Sequence, residues 1–177
     1  MDGPDGQEHA DTRSRQSAAS LGVSEVGRTM DGTSVHFSSK TNEWYTPQDF
    51  FDALHREFAF TIDAAATAEN AKLPRYFTEA DNGLAQSWKG ERVWCNPPYG
   101  REIGQWIKKA AISEADIVVM LIPARTDTKA WHRWIFNNPN ASVRFIEGRL
   151  KFGGAKLNAP FPSAVIVFSK THRSHQQ

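Results

Sequence analysis

The octapeptide Val93-Trp94-Cys95-Asn96-Pro97-Pro98-Tyr99-Gly100 stops an apolar run at an asparagine, two prolines and a tyrosine. Proline cannot donate to a sheet ladder and fixes its own φ angle, so a strand over Arg92–Cys95 must end there. Residues that precede proline are driven into extended geometry, which makes the loop stiff and splayed. Such a loop can present the Asn96 side chain and the Pro97 carbonyl as acceptors pointing the same way, with the flat face of Tyr99 beside them. Two acceptors and a ring suit a planar amino group, such as the exocyclic amine of adenine. Hydrogen bonds accepted from that NH₂ favour its nucleophilic form, and stacking holds the base. The bland alternative for the same residues is a proline turn after a buried strand.

The surrounding pattern is that of an α/β protein. Thr46-Pro47-Gln48-Asp49 carries a helix-start signature, with Thr46 as N-cap and Pro47 at the first helical position. Phe50, Phe51, Leu54 and Phe58 follow at helical spacing, so one face of that helix is core. Phe60 to Ala66 reads as a short strand running into a turn of alanines, with Asp63 at its carboxyl end. That is where nucleotide-like ligands sit in open α/β sheets, although the usual glycines are absent. Glu69 to Phe77 is an irregular connection, and Asp81-Asn82-Gly83 a turn.

After the proline loop, Ile103, Trp106, Ile107, Ala110 and Ala111 define an amphipathic helix. Ile117–Ile122 is an uninterrupted apolar run ended by Pro123, as expected for a strand covered on both faces. A further helix starts near Asp127 and carries Trp131, Trp134 and Ile135. Val143–Ile146 and Ala164–Phe168 are the closing strands, and with no helix between them they predict an antiparallel hairpin. The alternation of strands and helices otherwise predicts a mostly parallel sheet.

Residues 1–33 are rich in Gly, Ser, Asp and Arg without apolar periodicity, and read as a disordered extension in which Met30 is an alternative start. Residues 34–170 then form one domain, and 171–177 a flexible tail. A single cysteine, Cys95, excludes an internal disulfide and a cysteine-cluster metal site, and fits a reducing cytoplasm. No apolar run is long enough for a membrane span and no signal-peptide pattern is visible, so neither a membrane nor an obligatory protein partner is expected. The formal net charge of +1 hides an asymmetry: residues 1–100 carry 9 Lys and Arg against 15 Asp and Glu, and residues 101–177 carry 12 against 5. The basic half permits a polyanion-facing surface.

Taken in order, Ser38-Ser39-Lys40, Trp44-Tyr45-Thr46-Pro47, Ile62-Asp63-Ala64-Ala65, Asn96-Pro97-Pro98-Tyr99 and Phe161-Pro162-Ser163-Ala164 resemble the phage-type, Dam-like DNA N6-adenine methyltransferases, from about His36 to Ser169. The resemblance implies a Rossmann-like class I methyltransferase fold, S-adenosylmethionine as cofactor, double-stranded DNA as substrate and no metal. It implies that Asn96 and Pro97, stiffened by Pro98, accept hydrogen bonds from the target amine while Tyr99 stacks on an extruded base. Trp44, Thr46, Pro47, Asp63 and Ala64 would then hold the cofactor, with Asp81 near its adenine. The Gly148–Pro162 loop, with Arg149, Lys151, Lys156 and Phe152, is expected to project towards DNA, together with Arg125 and Lys129. Phe152 folded back on the core is the competing reading of that aromatic. Methylation of another amine or amide (cytosine N4 or a protein glutamine) and a catalytically idle DNA-binding protein stay open as alternatives.

Overall fold

The computed structural model describes residues 44–153 and 157–170. At its centre lies β3 (Ile117–Pro123), buried from its second residue onward. Strand β2 (Arg92–Cys95) pairs parallel to one edge of β3, and β1 (Ile62–Asp63) pairs parallel to β2. On the other edge β5 (Ser163–Ser169) runs antiparallel to β3 and to β4 (Ala141–Phe145), giving the order β1-β2-β3-β5-β4. The closing hairpin is therefore present, but the sheet is mixed, with two parallel and two antiparallel pairings. Every residue of β5 but the last is buried, whereas no residue of β4 is. A strand apolar on both faces gains most from an inner position, so the returning strand inserts beside β3 and the half-polar β4 takes the edge. Four strands still point one way, and β5 alone opposes them.

Alternate residues of the strands feed two cores. Val118, Met120 and Ile122 join Trp106, Ile107 and Ala110 of α2 (Ile103–Ile112) and Trp131 of α3 (Lys129–Trp131), a helix that runs on as a π-helical turn over His132–Phe136. Val119 and Leu121 join Phe51, Leu54 and Phe58 of α1 (Gln48–Phe58) on the opposite face. The result is a helix layer on each side of the sheet.

Two local features differ from the expected ones. Helix α1 begins a residue late: Pro47 takes the cap position with extended ψ, and no side chain caps the helix. Thr46 is thereby released for another bond. The strand expected from Phe60 up to the alanine turn is only Ile62–Asp63, because the chain after it folds back alongside. Asp63 N–H donates to the Arg75 carbonyl at 3.0 Å, and Phe77 N–H to the Asp63 carbonyl at 2.9 Å. The irregular connection thus shields the sheet edge beside β1. The 1–33 extension with Met30, Ser38-Ser39-Lys40, Lys156 and the 171–177 tail lie outside the described residues.

Candidate active site

At the carboxyl ends of β1 and β2 opens a cavity of about 520 Å³. Trp44 and Thr46 in front of α1, Asp63 to Thr67 after β1, Thr78 to Gly83 in part, and Asn96, Pro97 and Pro98 after β2 line it. Parallel β1 and β2 deliver their loops to one sheet edge, where ligands collect in such folds, and the segment before α1 meets them there.

Asn96 is held on three sides. Its Nδ2 donates to the Trp44 carbonyl and to Thr46 Oγ1 (3.0 Å), and its Oδ1 accepts from the Tyr99 hydroxyl at 2.8 Å. A backbone carbonyl can only accept, so the amide atom that faces Trp44 must be the NH₂. Both amide hydrogens are consumed, and one lone pair of Oδ1 is left for a further donor. Among the described residues, no donor is spent on the Pro97 carbonyl. The phenolic oxygen of Tyr99 also lies 3.0 Å from the Leu121 carbonyl. Its single proton therefore serves two acceptors, and burial holds the phenol protonated well above its ordinary range.

Tyr99 does not form part of the cavity wall. Its ring stands 6.5 Å from that of Trp44 at an interplanar angle of 21°, and meets Phe152 and Phe161 edge-on. Phe152, only 2% exposed, also packs edge-on to Trp44. The projecting aromatic expected of the Gly148–Pro162 loop is therefore tucked in. It is a buried support for Trp44 and Tyr99, because the loop pairs back through Gly153 N–H to the Tyr45 carbonyl (2.7 Å) and Ala159 N–H to the Leu150 carbonyl (2.8 Å). Arg149 and Lys151 stay exposed on the same loop, as do Arg125 and Lys129 after β3. None of these four has a carboxylate partner among the described residues.

Asp63 is 2% exposed, and burial pushes its carboxyl up to about 6 despite hydrogen bonds from the Lys72 (3.1 Å) and Ala65 (3.3 Å) N–H groups. Fully buried Ala64 lies beside it on the wall. Pro47 does not reach the wall. Nor does Asp81: its carboxylate accepts from Thr78 N–H (2.8 Å) and Thr78 Oγ1 (2.7 Å), bonds that hold it below its usual range. The acidic residue of that turn on the wall is Glu79.

Sequence reasoning missed Glu79, Lys72 and Gly83. Lys72 lines the cavity with its ammonium on Gln48 Oε1 (3.0 Å), and burial pushes its pKa down against the pull of Asp63 and Asp52. Gly83 lies so close to the chain after β1 that an added Cβ would fall 2.2 Å from the Ala64 carbonyl oxygen. A glycine in a turn just before a strand was the available signal, read only as turn chemistry.

With this geometry in place, the comparisons are decisive for the family. Residues 33–177 match the family model described as DNA N-6-adenine-methyltransferase (Dam). The chain belongs to this family. It is similar to the DNA N-6-adenine-methyltransferase of Escherichia phage T1, 32% identical over 128 residues that cover 70% of this chain and 52% of the phage protein. It is also similar to a protein of Escherichia coli (strain K12) named "Putative methyltransferase YfdM", 35% identical over 66 residues, covering 33% of this chain and 71% of that one. The chain spans about half the length of the phage relative. Among the described residues no helix of this Dam-family chain is long and apolar enough to cross a membrane, and no His, Cys, Asp and Glu group is arranged for a metal ion.

Proposed function

We propose that this Dam-family protein, a Rossmann-like class I methyltransferase, transfers a methyl group from S-adenosylmethionine to the N6 amine of adenine in double-stranded DNA. The observation that carries the reading is the clamped Asn96 amide, with an acceptor lone pair on Oδ1 beside the Pro97 carbonyl at the mouth of a cavity of cofactor size. S-Adenosylmethionine, when bound, supplies a methyl group already activated by its sulfonium. Buried Asp63 as an anionic acceptor, the small Ala64–Ala66 turn and the aromatic Phe77 on the same wall suit a cationic nucleoside.

The chain's own part is positioning and charge. Asn96 Oδ1 and the Pro97 carbonyl accept the two N–H bonds of the amine, which leaves the nitrogen lone pair free to attack. Both acceptors interact more strongly as positive charge builds on that nitrogen. Once methylated, the amine nitrogen is positively charged and releases one proton to solvent, the neutral thioether being the leaving group. Oδ1 has two lone pairs, so the Tyr99 hydroxyl can keep its bond to one while the substrate N–H takes the other.

A duplex hides the target amine, so the base must leave the stack at a cost of a few kcal/mol. Arg125, Lys129, Arg149 and Lys151 follow strands β3 and β4, which point the same way as β2, and so lie towards the end of the sheet that carries Asn96. Exposed and free of carboxylates, they suit phosphate neutralisation. Incubation with unmodified DNA and S-adenosylmethionine, then nucleoside analysis, should give N6-methyladenine. N4-methylcytosine or a methylated protein amide would refute the acceptor. S-Adenosylmethionine binding without any product would favour an idle scaffold.

A further inference from the structure

Thr46 is a buried hydroxyl, 4% exposed, at a place where sequence predicts a helix cap, yet it caps nothing. Its oxygen accepts instead from Asn96 Nδ2 at 3.0 Å, fifty residues along the chain. Asparagine amides have two orientations related by a half-turn. In one, Asn96 offers an oxygen to the incoming amine; in the other it offers an NH₂, and two donors then face each other. The Trp44 carbonyl can only accept and so selects the first orientation, in which Thr46 Oγ1 takes the second amide hydrogen. Of the two, only Thr46 is a side chain and open to substitution.

We propose that Thr46 is a positioning residue that holds the Asn96 amide in the orientation set by the Trp44 carbonyl, rather than a contact of the methyl donor. The inference rests on the proposed transfer to an amine, because only a donor at Oδ1 gives that orientation a catalytic consequence. Removing the hydroxyl by Thr46→Val keeps the volume and the buried methyl. It leaves one amide hydrogen without an acceptor and the amide tethered only at Trp44 and Tyr99.

The experiment combines two readouts. In ¹⁵N–¹H spectra, the Asn96 side-chain amide pair is assigned by its loss in Asn96→Asp. In Thr46→Val one of its protons should move upfield, and in Thr46→Ser it should return to near its wild-type position. In single-turnover methylation with saturating DNA and S-adenosylmethionine, Thr46→Val should be slower by about tenfold, as expected for ~1.4 kcal/mol of lost transition-state positioning. Thr46→Ser should recover most of the rate, with cofactor Kd unchanged throughout. In an Asn96→Ala background, Thr46→Val should have no further effect. Should Thr46→Val not fold, Thr46→Ala serves the same comparison. An unmoved amide signal, an effect that persists in Asn96→Ala, or a weakened cofactor Kd with normal single-turnover rate would overturn the proposal. If the wild-type protein methylates nothing, the proposed function fails, while the amide signal still decides whether Thr46 orients Asn96.

Discussion

Buried Asp63 makes a quantitative prediction about stability and pH. Burial pushes its carboxyl up from the ordinary 3.8 to about 6 in the folded chain, because it penalises the charged form. For an acid whose folded pKa is raised, the native state holds its proton longer than the unfolded state. Stability therefore falls as pH rises from about 4 to about 6, and levels off above. Two pKa units correspond to about 3 kcal/mol, felt almost fully at pH 7 and to less than about 1 kcal/mol at pH 4. Asp63→Asn removes this titration and keeps the shape. It exchanges an acceptor for an NH₂ at one of the two N–H groups, a cost that does not vary with pH. Urea unfolding of both proteins between pH 4 and 7 isolates the effect, since every other group cancels in the difference. Relative to wild type, the variant should gain about 2 kcal/mol between those pH values, or roughly 1 M in urea midpoint for an ordinary denaturant slope. Parallel pH profiles would show that Asp63 ionises normally and that its burial carries no electrostatic penalty.

Replacing Asn96 by alanine should lower turnover by roughly 10²–10³, the usual loss for one transition-state hydrogen-bond partner, with S-adenosylmethionine affinity by calorimetry close to wild type. Gly83→Ala should destabilise by about 1–3 kcal/mol in chemical denaturation, because its Cβ must displace backbone at Ala64, and should weaken cofactor binding through the same wall. Asp81→Ala should leave cofactor affinity unchanged, since that carboxylate is spent on Thr78; a weakened Kd in calorimetry would reinstate it as a contact. Replacing Arg149 and Lys151 together by alanine should flatten the log–log salt dependence of DNA binding by about 1–2 units, measured by fluorescence anisotropy.

What sequence revealed of the fold follows the strength of the apolar signal. The run Ile117–Ile122 and the prolines after Cys95 leave little choice, and β2, β3 and the α2 stripe lie where periodicity puts them. The position of β5 was also available, though a hairpin alone does not give it. Ser163–Ser169 is apolar at five successive positions, whereas Ala141–Phe145 mixes Ser and Arg with its apolar residues. The first pattern needs cover on both faces and the second tolerates an edge, and that decides which hairpin strand lies inside. The start of α1 was misjudged because Thr-Pro satisfies local capping chemistry. A buried hydroxyl with a stronger tertiary demand goes to that demand instead.

The site divides along the same line. Asn96 and Asp63 announce themselves because each ends a strand, and a strand's carboxyl end faces the ligand edge wherever the strand lies in a parallel pair. Residues 64 to 91 carry no period, and their contribution depends on how the chain returns. Lys72, Glu79 and Gly83 reach the cavity, while Asp81, chosen for its distance from Asn96, turns to its own loop. Phe152 likewise gives no local sign of whether it faces solvent or Trp44. The chemistry itself sits one level further from the sequence. An asparagine before two prolines can offer an oxygen or an NH₂, and the choice is made by the Trp44 carbonyl, 52 positions earlier. Asn96 is legible from its neighbours, but the atom it presents is set by Trp44, in the segment that leads into α1. Substitutions that loosen the packing of α1 should therefore slow transfer before they unfold the protein.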